Sequence, residues 1–454
     1  MQSFCKSLLF FMFFMLVSFI SQAQNKTEQL IILEYADSLV GTRGQNMEIR
    51  EFIGNVKLKQ GNVTVQCDRA IQYLNLNKAE LSGNVHINQQ ELDLFTPLGI
   101  YDGNLRIASS VSGLKITDRK TVLTAQEGTY STSLQIANFR KNVRIEDDSV
   151  IILSDRLVYH RKNKNSFATG DVLIFGKYTN TYLLGDTVEH YPDGNITLVK
   201  GEPRLFQIDT VKNDTIEVDS SENRIEGQYA RSNSTQLSIS FDTLSATSYY
   251  MKSIDDNNKE IVYFIDSVEI SQRRLGAKAD TAIYNKTDGI ITLSGHPIVF
   301  YDSTQLYSDS IYIYVPDMKL KELLAVHNSI ACTRNDTNDL RKINQIVGDE
   351  IRIKFVNDTI NAILSFGNAK SLYFLASDSS GAGMHRSSSD SIVVDFDKGK
   401  VDRIIWLGGV NGDFRPENML DEVKGFYLPG FKWSDIKPQK VVLKLKRKLI
   451  ISEE

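Results

Sequence analysis

At 454 residues, with 41 % apolar and 24 % charged side chains, the chain is long enough for two or three domains and apolar enough to bury a core. Its 19 Tyr and 22 Phe exclude wholesale disorder, and three cysteines are too few to staple a fold of this size. The net charge of −4 comes from interspersed acids and bases, which leaves no electrostatic footprint for nucleic acid as a partner. The first element in chain order is Lys6 followed by the apolar run Leu8 to Ile20 and the small-residue signal Ser21-Gln22-Ala23. Thirteen residues fall short of the roughly 20 that span a bilayer core. Residues 1–23 therefore read as a cleavable export signal, with Gln24 as the expected mature start. Cys5 leaves with it, so Cys67 and Cys332 remain, as a long-range disulfide or as two buried thiols.

Thr27 to Leu39 is the one stretch with the pattern of a short helix; beyond it the chain repeats strands. Gly54-Asn55-Val56-Lys57-Leu58 returns as Gly83-Asn84-Val85-His86-Ile87, 29 residues on. Lys141-Asn142-Val143-Arg144-Ile145 and Gly170-Asp171-Val172-Leu173-Ile174 are again 29 apart, and Ser112-Gly113-Leu114-Lys115-Ile116 fills the gap. A second cassette interleaves: Cys67-Asp68-Arg69-Ala70-Ile71-Gln72-Tyr73, Ser154-Asp155-Arg156-Leu157-Val158-Tyr159 and Gly185-Asp186-Thr187. Further copies start at Ala279 and Ser308, and weaker ones at Asp349 (DEIRIKF) and Asp390 (DSIVVDF). Alternation with period two marks half-buried strands, Gly-Asn is turn chemistry, and the cassette Asp is expected to bond backbone amides. Two-strand units of this length cannot bury their apolar faces alone and must stack. The expected fold is all-β, an elongated repeat-built β-jellyroll of two stacked units. Register drifts past 200, where KNDTIEVDSSENR crowds in polar residues, so the domains divide as 24–205, a degenerate 206–415 and a C-terminal basic strand or tail 416–454. The Ser/Gly stretch Ala376 to Asp390 reads as a loop.

The GNV-x-[IL] strand start followed by [AS]-D-x-[AILV]-x-Y resembles the OstA family, best over residues 45–200 and in degenerate copies to about 400. That family comprises lipopolysaccharide-transport protein A and the N-terminal domain of the outer-membrane assembly protein D, and the pattern is most similar to its Bacteroidetes-type members. The resemblance implies an open, V-shaped β-jellyroll whose apolar interior shields lipid A acyl chains. It implies a periplasmic setting in a Gram-negative bacterium, in association with the outer membrane. Its implied partners are lipopolysaccharide or another amphiphilic glycolipid, other transport components joined by edge-strand pairing, and further copies in a homo-oligomer. It departs from the family's single-domain carriers in being far longer, and no long barrel follows as in assembly protein D.

The apolar alternates that would line such a groove are Val56 and Leu58, Ile71 and Tyr73, Val85 and Ile87, Val143 and Ile145, Leu157 and Tyr159, Val172 and Ile174. A closed structural core produces the same pattern. The six histidines are scattered without metal spacing, and no nucleophile motif or local carboxylate pair breaks the repeat, so no metal, cofactor or catalytic residue is expected. The Asp255-Asp256-Asn257-Asn258 stretch reads as a hairpin turn. Lys444-Leu445-Lys446-Arg447-Lys448 is the one concentrated basic run, read either as a charged edge strand or as a contact for anionic headgroups. The leading expectation is lipopolysaccharide binding and transport toward the outer membrane. A closed envelope scaffold or adhesin is the alternative, and a carbohydrate-active β-solenoid is third.

Overall fold

The computed structural model describes residues 30–43, 48–208, 243–256, 259–334, 341–375, 383–422, 426–441, 443 and 445. The export signal, the polar stretch 212–224, Asn257 and Asn258, and four residues of the basic run (Lys444, Lys446, Arg447, Lys448) lie outside them. Among the described residues the secondary structure is strand, relieved only by short 3-10 turns. The all-β expectation holds.

Contacts divide the chain into two compact units, Met1–Arg119 with Glu127–Leu134, and Lys120–Gln126 with Gln135–Glu454. The short helix expected near Thr27 to Leu39 is corrected by two strands, Ile32–Tyr35 and Ser38–Arg43, both antiparallel to Glu48–Gln60. Those strands give backbone donors and acceptors of Glu48–Gln60 their ladder partners, and that pairing overrides the local pattern. In the second unit the ladder runs on past residue 205. Thr181–Tyr191 pairs with both Ile196–Lys200 and Arg204–Gln207, which pair in turn with Tyr250–Asp256 and Leu244–Thr247. The Ser-rich stretch expected as a loop is corrected from residue 383 onward, where it lies in the strand Gly383–Asp397. Its serines fit a buried ladder because their hydroxyls find partners, as Ser387 does with Ser371 at 2.7 Å.

The Gly-Asn motif proves to be a mid-strand bend, where the sequence suggested a strand start. Across the ladder Ile53 faces Arg69 and Val56 faces Cys67, so Gly54 and Asn55 together stand opposite Asp68. Both bulged residues are left-handed (φ 79° and 47°), as are Gly83-Asn84, Lys141-Asn142 and Gly170-Asp171. The bend sends the two halves of each strand into different layers. The cassette aspartates complete the device. Asp68 accepts a hydrogen bond from Asn84 Nδ2 at 2.9 Å, Asp37 from Asn55 at 3.0 Å, Asp309 from Asn328 at 2.8 Å and Asp349 from Asn368 at 3.1 Å. The two sequence cassettes are thus the two sides of one contact, with the Asp reaching an Asn side chain at the neighbouring bend.

Between the layers, Tyr101 donates to Gln60 at 2.7 Å and Tyr130 to Gln89 at 2.8 Å in the first unit, and Tyr284 donates to Gln207 at 3.1 Å in the second. Each unit is therefore a two-layer roll of bent strands.

Gly170 tests the bend. Its φ is +82° and an added Cβ would sit 2.5 Å from Asp155 Oδ2, whereas Gly41 has nothing within 4 Å. Gly170→Ala is expected to destabilise the protein by about 1–3 kcal/mol in urea unfolding, and Gly41→Ala by less than about 1 kcal/mol. Equal effects would remove the bend's stabilising role.

Candidate functional site

Residues directly opposite across a ladder share a face, which places every expected groove residue. In the first unit Val56 and Leu58 stand opposite Cys67 and Val65, and Val65 opposite Ile87. Val56, Leu58, Val85 and Ile87 are at most 2 % exposed, in a packed interior. In the second unit Val143, Ile145, Leu157 and Val172 are likewise buried inward, while Tyr159 and Ile174 share that face and stay half-buried. Ile71 and Tyr73 depart from expectation. Ile71 stands opposite Glu51 and Glu80, and Tyr73 opposite Ile49 and Lys78, so both face outward. The inward residue there is Gln72, which donates to the Ile31 carbonyl at 2.8 Å. Tyr159 is the fourth residue after its Asp and Tyr73 the fifth, and a one-residue slip reverses the face of a strand residue.

The interior opens farther along the second unit, in a cavity of about 550 Å³ lined by both layers. One wall carries Ile360, Ile363, Val394, Phe396 and Ile404. These share a face because Ile363 stands opposite Val394 and Val394 opposite Ile404. Burial falls along that face. Ile353 is 1 % exposed and Ile363 5 %, whereas Val394, Phe396 and Ile404 are partly open. The DEIRIKF and DSIVVDF copies supplied this wall and its packed continuation, so its signal was in the sequence, in the weaker repeats.

The opposite wall mixes polar Thr304, Thr333, Asn344, Ser371 and Tyr373 with apolar Ala331 and Ile346. Thr304 and Thr333 hydroxyls pair at 3.0 Å, and Ser371 accepts a hydrogen bond from Trp406 Nε1 of the other layer at 3.1 Å. The Tyr373 hydroxyl has no partner among the described residues, and burial raises its pKa above the ordinary value. Beside it across the ladder, His385 keeps a buried Nδ1 without a partner. Two cations mark the rim. Arg274 lies 5.1 Å over the Tyr301 ring, pairs with Asp302 at 2.7 Å and donates to the Asp358 carbonyl at 3.0 Å; Lys400 is exposed.

The outer face of the same layer is covered by described residues of the chain's own C-terminal segment, 426–441, 443 and 445, which from 431 on carry no ladder pairing. Gln345 accepts from Leu428 N at 2.8 Å and donates to the Phe426 carbonyl at 2.9 Å; Gln305 does the same for Ser434 N and O, at 2.9 and 2.7 Å. A buried primary amide mimics a peptide group and so holds an extended backbone by both its groups. Leu443 and Leu445 then pack with Ile151, Leu153, Leu173 and Phe175. The signal for this cover was the unbroken apolar runs Val150 to Leu153 and Val172 to Phe175, which mark strands buried on both faces.

Cys67 and Cys332 are both free and buried, and burial pushes their thiols up to about 11 and about 12. Among the described residues no group of three or more His, Cys, Asp or Glu is placed to hold a metal ion, and no helix is long and apolar enough to cross a membrane.

Residues 28–127 and 107–155 match the family of OstA-like proteins. Among solved structures the chain is similar to the crystal structure of LptH, the LptA homologous periplasmic component of the conserved lipopolysaccharide transport device from Pseudomonas aeruginosa. That similarity has 14 % identity, covers 31 % of this chain and 95 % of that chain, and has a TM-score of 0.25. No curated protein matches the sequence.

Proposed function

Taking the chain as an OstA-like protein over residues 28–155, we propose that it is a periplasmic carrier of lipopolysaccharide or a related amphiphilic glycolipid on its way to the outer membrane. The observation that carries this reading is the open cavity of about 550 Å³ in the second unit, with an apolar wall inside and Arg274 and Lys400 at the rim. Acyl chains entering it gain about 0.8 kcal/mol per buried CH₂, and the rim cations suit headgroup phosphates. The carrier shields its cargo without changing a bond, and no cofactor enters. Among the described residues the strand Lys400–Leu407 pairs on one side only, with Gly383–Asp397, and its other edge is suited to strand addition by a transport partner or a second copy. The expected export signal supplies the periplasmic location.

The closed-scaffold reading draws on the first unit, where Val56, Leu58, Val85 and Ile87 are buried in a packed interior. Photo-crosslinking in cells separates the two. A photoreactive residue at Val394 or Ile404 is expected to give a lipopolysaccharide adduct, and one at outward Arg403 or Lys57 is expected to give none. A folded, exported protein with no adduct from either inward position would leave the scaffold reading standing.

A further inference from the structure

The Arg274 cation at the cavity rim is already engaged. It pairs with Asp302 at 2.7 Å and donates to the Asp358 carbonyl at 3.0 Å. Arg273 pairs with the Asp358 carboxylate, and the Tyr301 hydroxyl donates to that same carbonyl. Arg273 and Arg274 form the turn between Lys259–Gln272 and Leu275–Asn285, and Asp358 lies in the turn between Ile343–Val356 and Thr359–Leu375. The cluster thus ties together turns 85 residues apart. Three contacts precede it in chain order within the second unit: Lys286 donates to Thr181 at 3.2 Å, Tyr284 to Gln207 at 3.1 Å and Gln272 to the Met318 carbonyl at 2.7 Å. Together they seam one layer to the other. The Asp358 cluster is the last stitch, because the cavity begins there, between Tyr301 to Thr304 on one side and Thr359 and Ile360 on the other. The stitches differ in kind. Tyr284 and Gln272 are buried, whereas the Arg273 and Asp358 side chains are 37 % and 35 % exposed. An exposed ion pair is weak, and ions in solution compete for it.

Resting on the carrier reading above, we infer that Arg273, Arg274 and Asp358 form a clasp at the cavity mouth, which the anionic group of an entering guest opens. A phosphate offers each guanidinium the paired oxygens that the aspartates now supply, so it takes the arginines over without leaving them unpaired. The released Asp302 and Asp358 carboxylates already reach water. Once the pairing is broken, the Asp358 turn is free to move away from the Arg273–Arg274 turn, and the mouth widens. The guest drives this change because its charge binds the open state better than the closed one. Headgroup capture and access to the apolar wall are thereby coupled, and an uncharged guest leaves the clasp shut.

Two spin labels on the full chain read the mouth directly, one on Ser303→Cys and one on Asp397→Cys, exposed positions beside opposite walls. Cys67 and Cys332 are buried and stay unlabelled. Dodecyl phosphate is expected to lengthen the label distance by about 3 Å or more, the room an ion needs between groups now in direct contact. Dodecyl maltoside, with the same chain and no charge, is expected to leave it unchanged. Asp358→Asn removes the charge and keeps a residue that tolerates the left-handed turn (φ 53°). Combined with Tyr301→Phe, it is expected to hold the mouth open with no guest present. An unchanged distance in that double variant, or with dodecyl phosphate in the labelled protein without it, would overturn the clasp and leave the carrier reading standing. Equal lengthening by both amphiphiles would do the same. Calorimetric titration that finds neither amphiphile bound would overturn both.

Discussion

A chain ending at residue 425 is expected to lose about 5 kcal/mol or more of stability relative to the full chain. The loss has two sources. Leu428, Leu443 and Leu445 are at most 5 % exposed, and each fully buried leucine contributes about 1.5–3 kcal/mol. Removing the segment also strips Gln305 and Gln345 of the backbone groups they hold, and each unsatisfied buried amide costs about 1–3 kcal/mol unless water reaches it. The freed outer face of Ile151, Leu153, Leu173 and Phe175 would then be exposed as a contiguous apolar patch, a liability for association. Urea unfolding gives the stability, and light scattering reports the association. A midpoint equal to that of the full chain would show the segment to be a passive tail. Gln345→Ala is the milder companion: it keeps the segment, removes one clamp and is expected to cost about 1–3 kcal/mol.

Filling the cavity is expected to have the largest effect on cargo. Val394 stands partly exposed on the apolar wall, so Val394→Trp adds bulk into open space and not into a packed core. Lipid binding is expected to fall by about tenfold or more, since the indole occupies volume that several methylenes would fill at about 0.8 kcal/mol each. Unfolding should shift by less than about 1.5 kcal/mol, the usual range for tolerated apolar swaps. Ile71→Trp, on the outward face of the first unit, is the control and should leave binding unchanged. Unimpaired binding by Val394→Trp would place the cargo outside this cavity.

The same two sites show how far the sequence could be read. The repeat, its period of 29 and its period-two alternation gave strands in the right places and put Val56, Leu58, Val85, Ile87, Val143, Ile145, Leu157 and Val172 in the interior. Ile71 and Tyr73 were misplaced because alternation sets faces only relative to a bend. The Gly54-Asn55 bulge adds a residue to one strand, so counting must restart at each Asp. The candidate cavity fell in the weaker repeats because repeat fidelity measures packing. Strands sealed on both sides keep a strict pattern, and those at an opening are free to vary.

By itself, then, the sequence determined the strand content, the bend chemistry of Gly-Asn with its Asp partner, and which positions alternate, since these follow from backbone conformation and side-chain period along one strand. Only the tertiary structure decided that the Asp and Gly-Asn cassettes meet across neighbouring strands, that Tyr130 closes on Gln89, and that Leu443 and Leu445 return to pack on strands some 280 residues earlier. Open or sealed belongs to that second class. An inward Val394 and an inward Val56 read alike on a strand, and only the fold leaves the first partly open and the second buried.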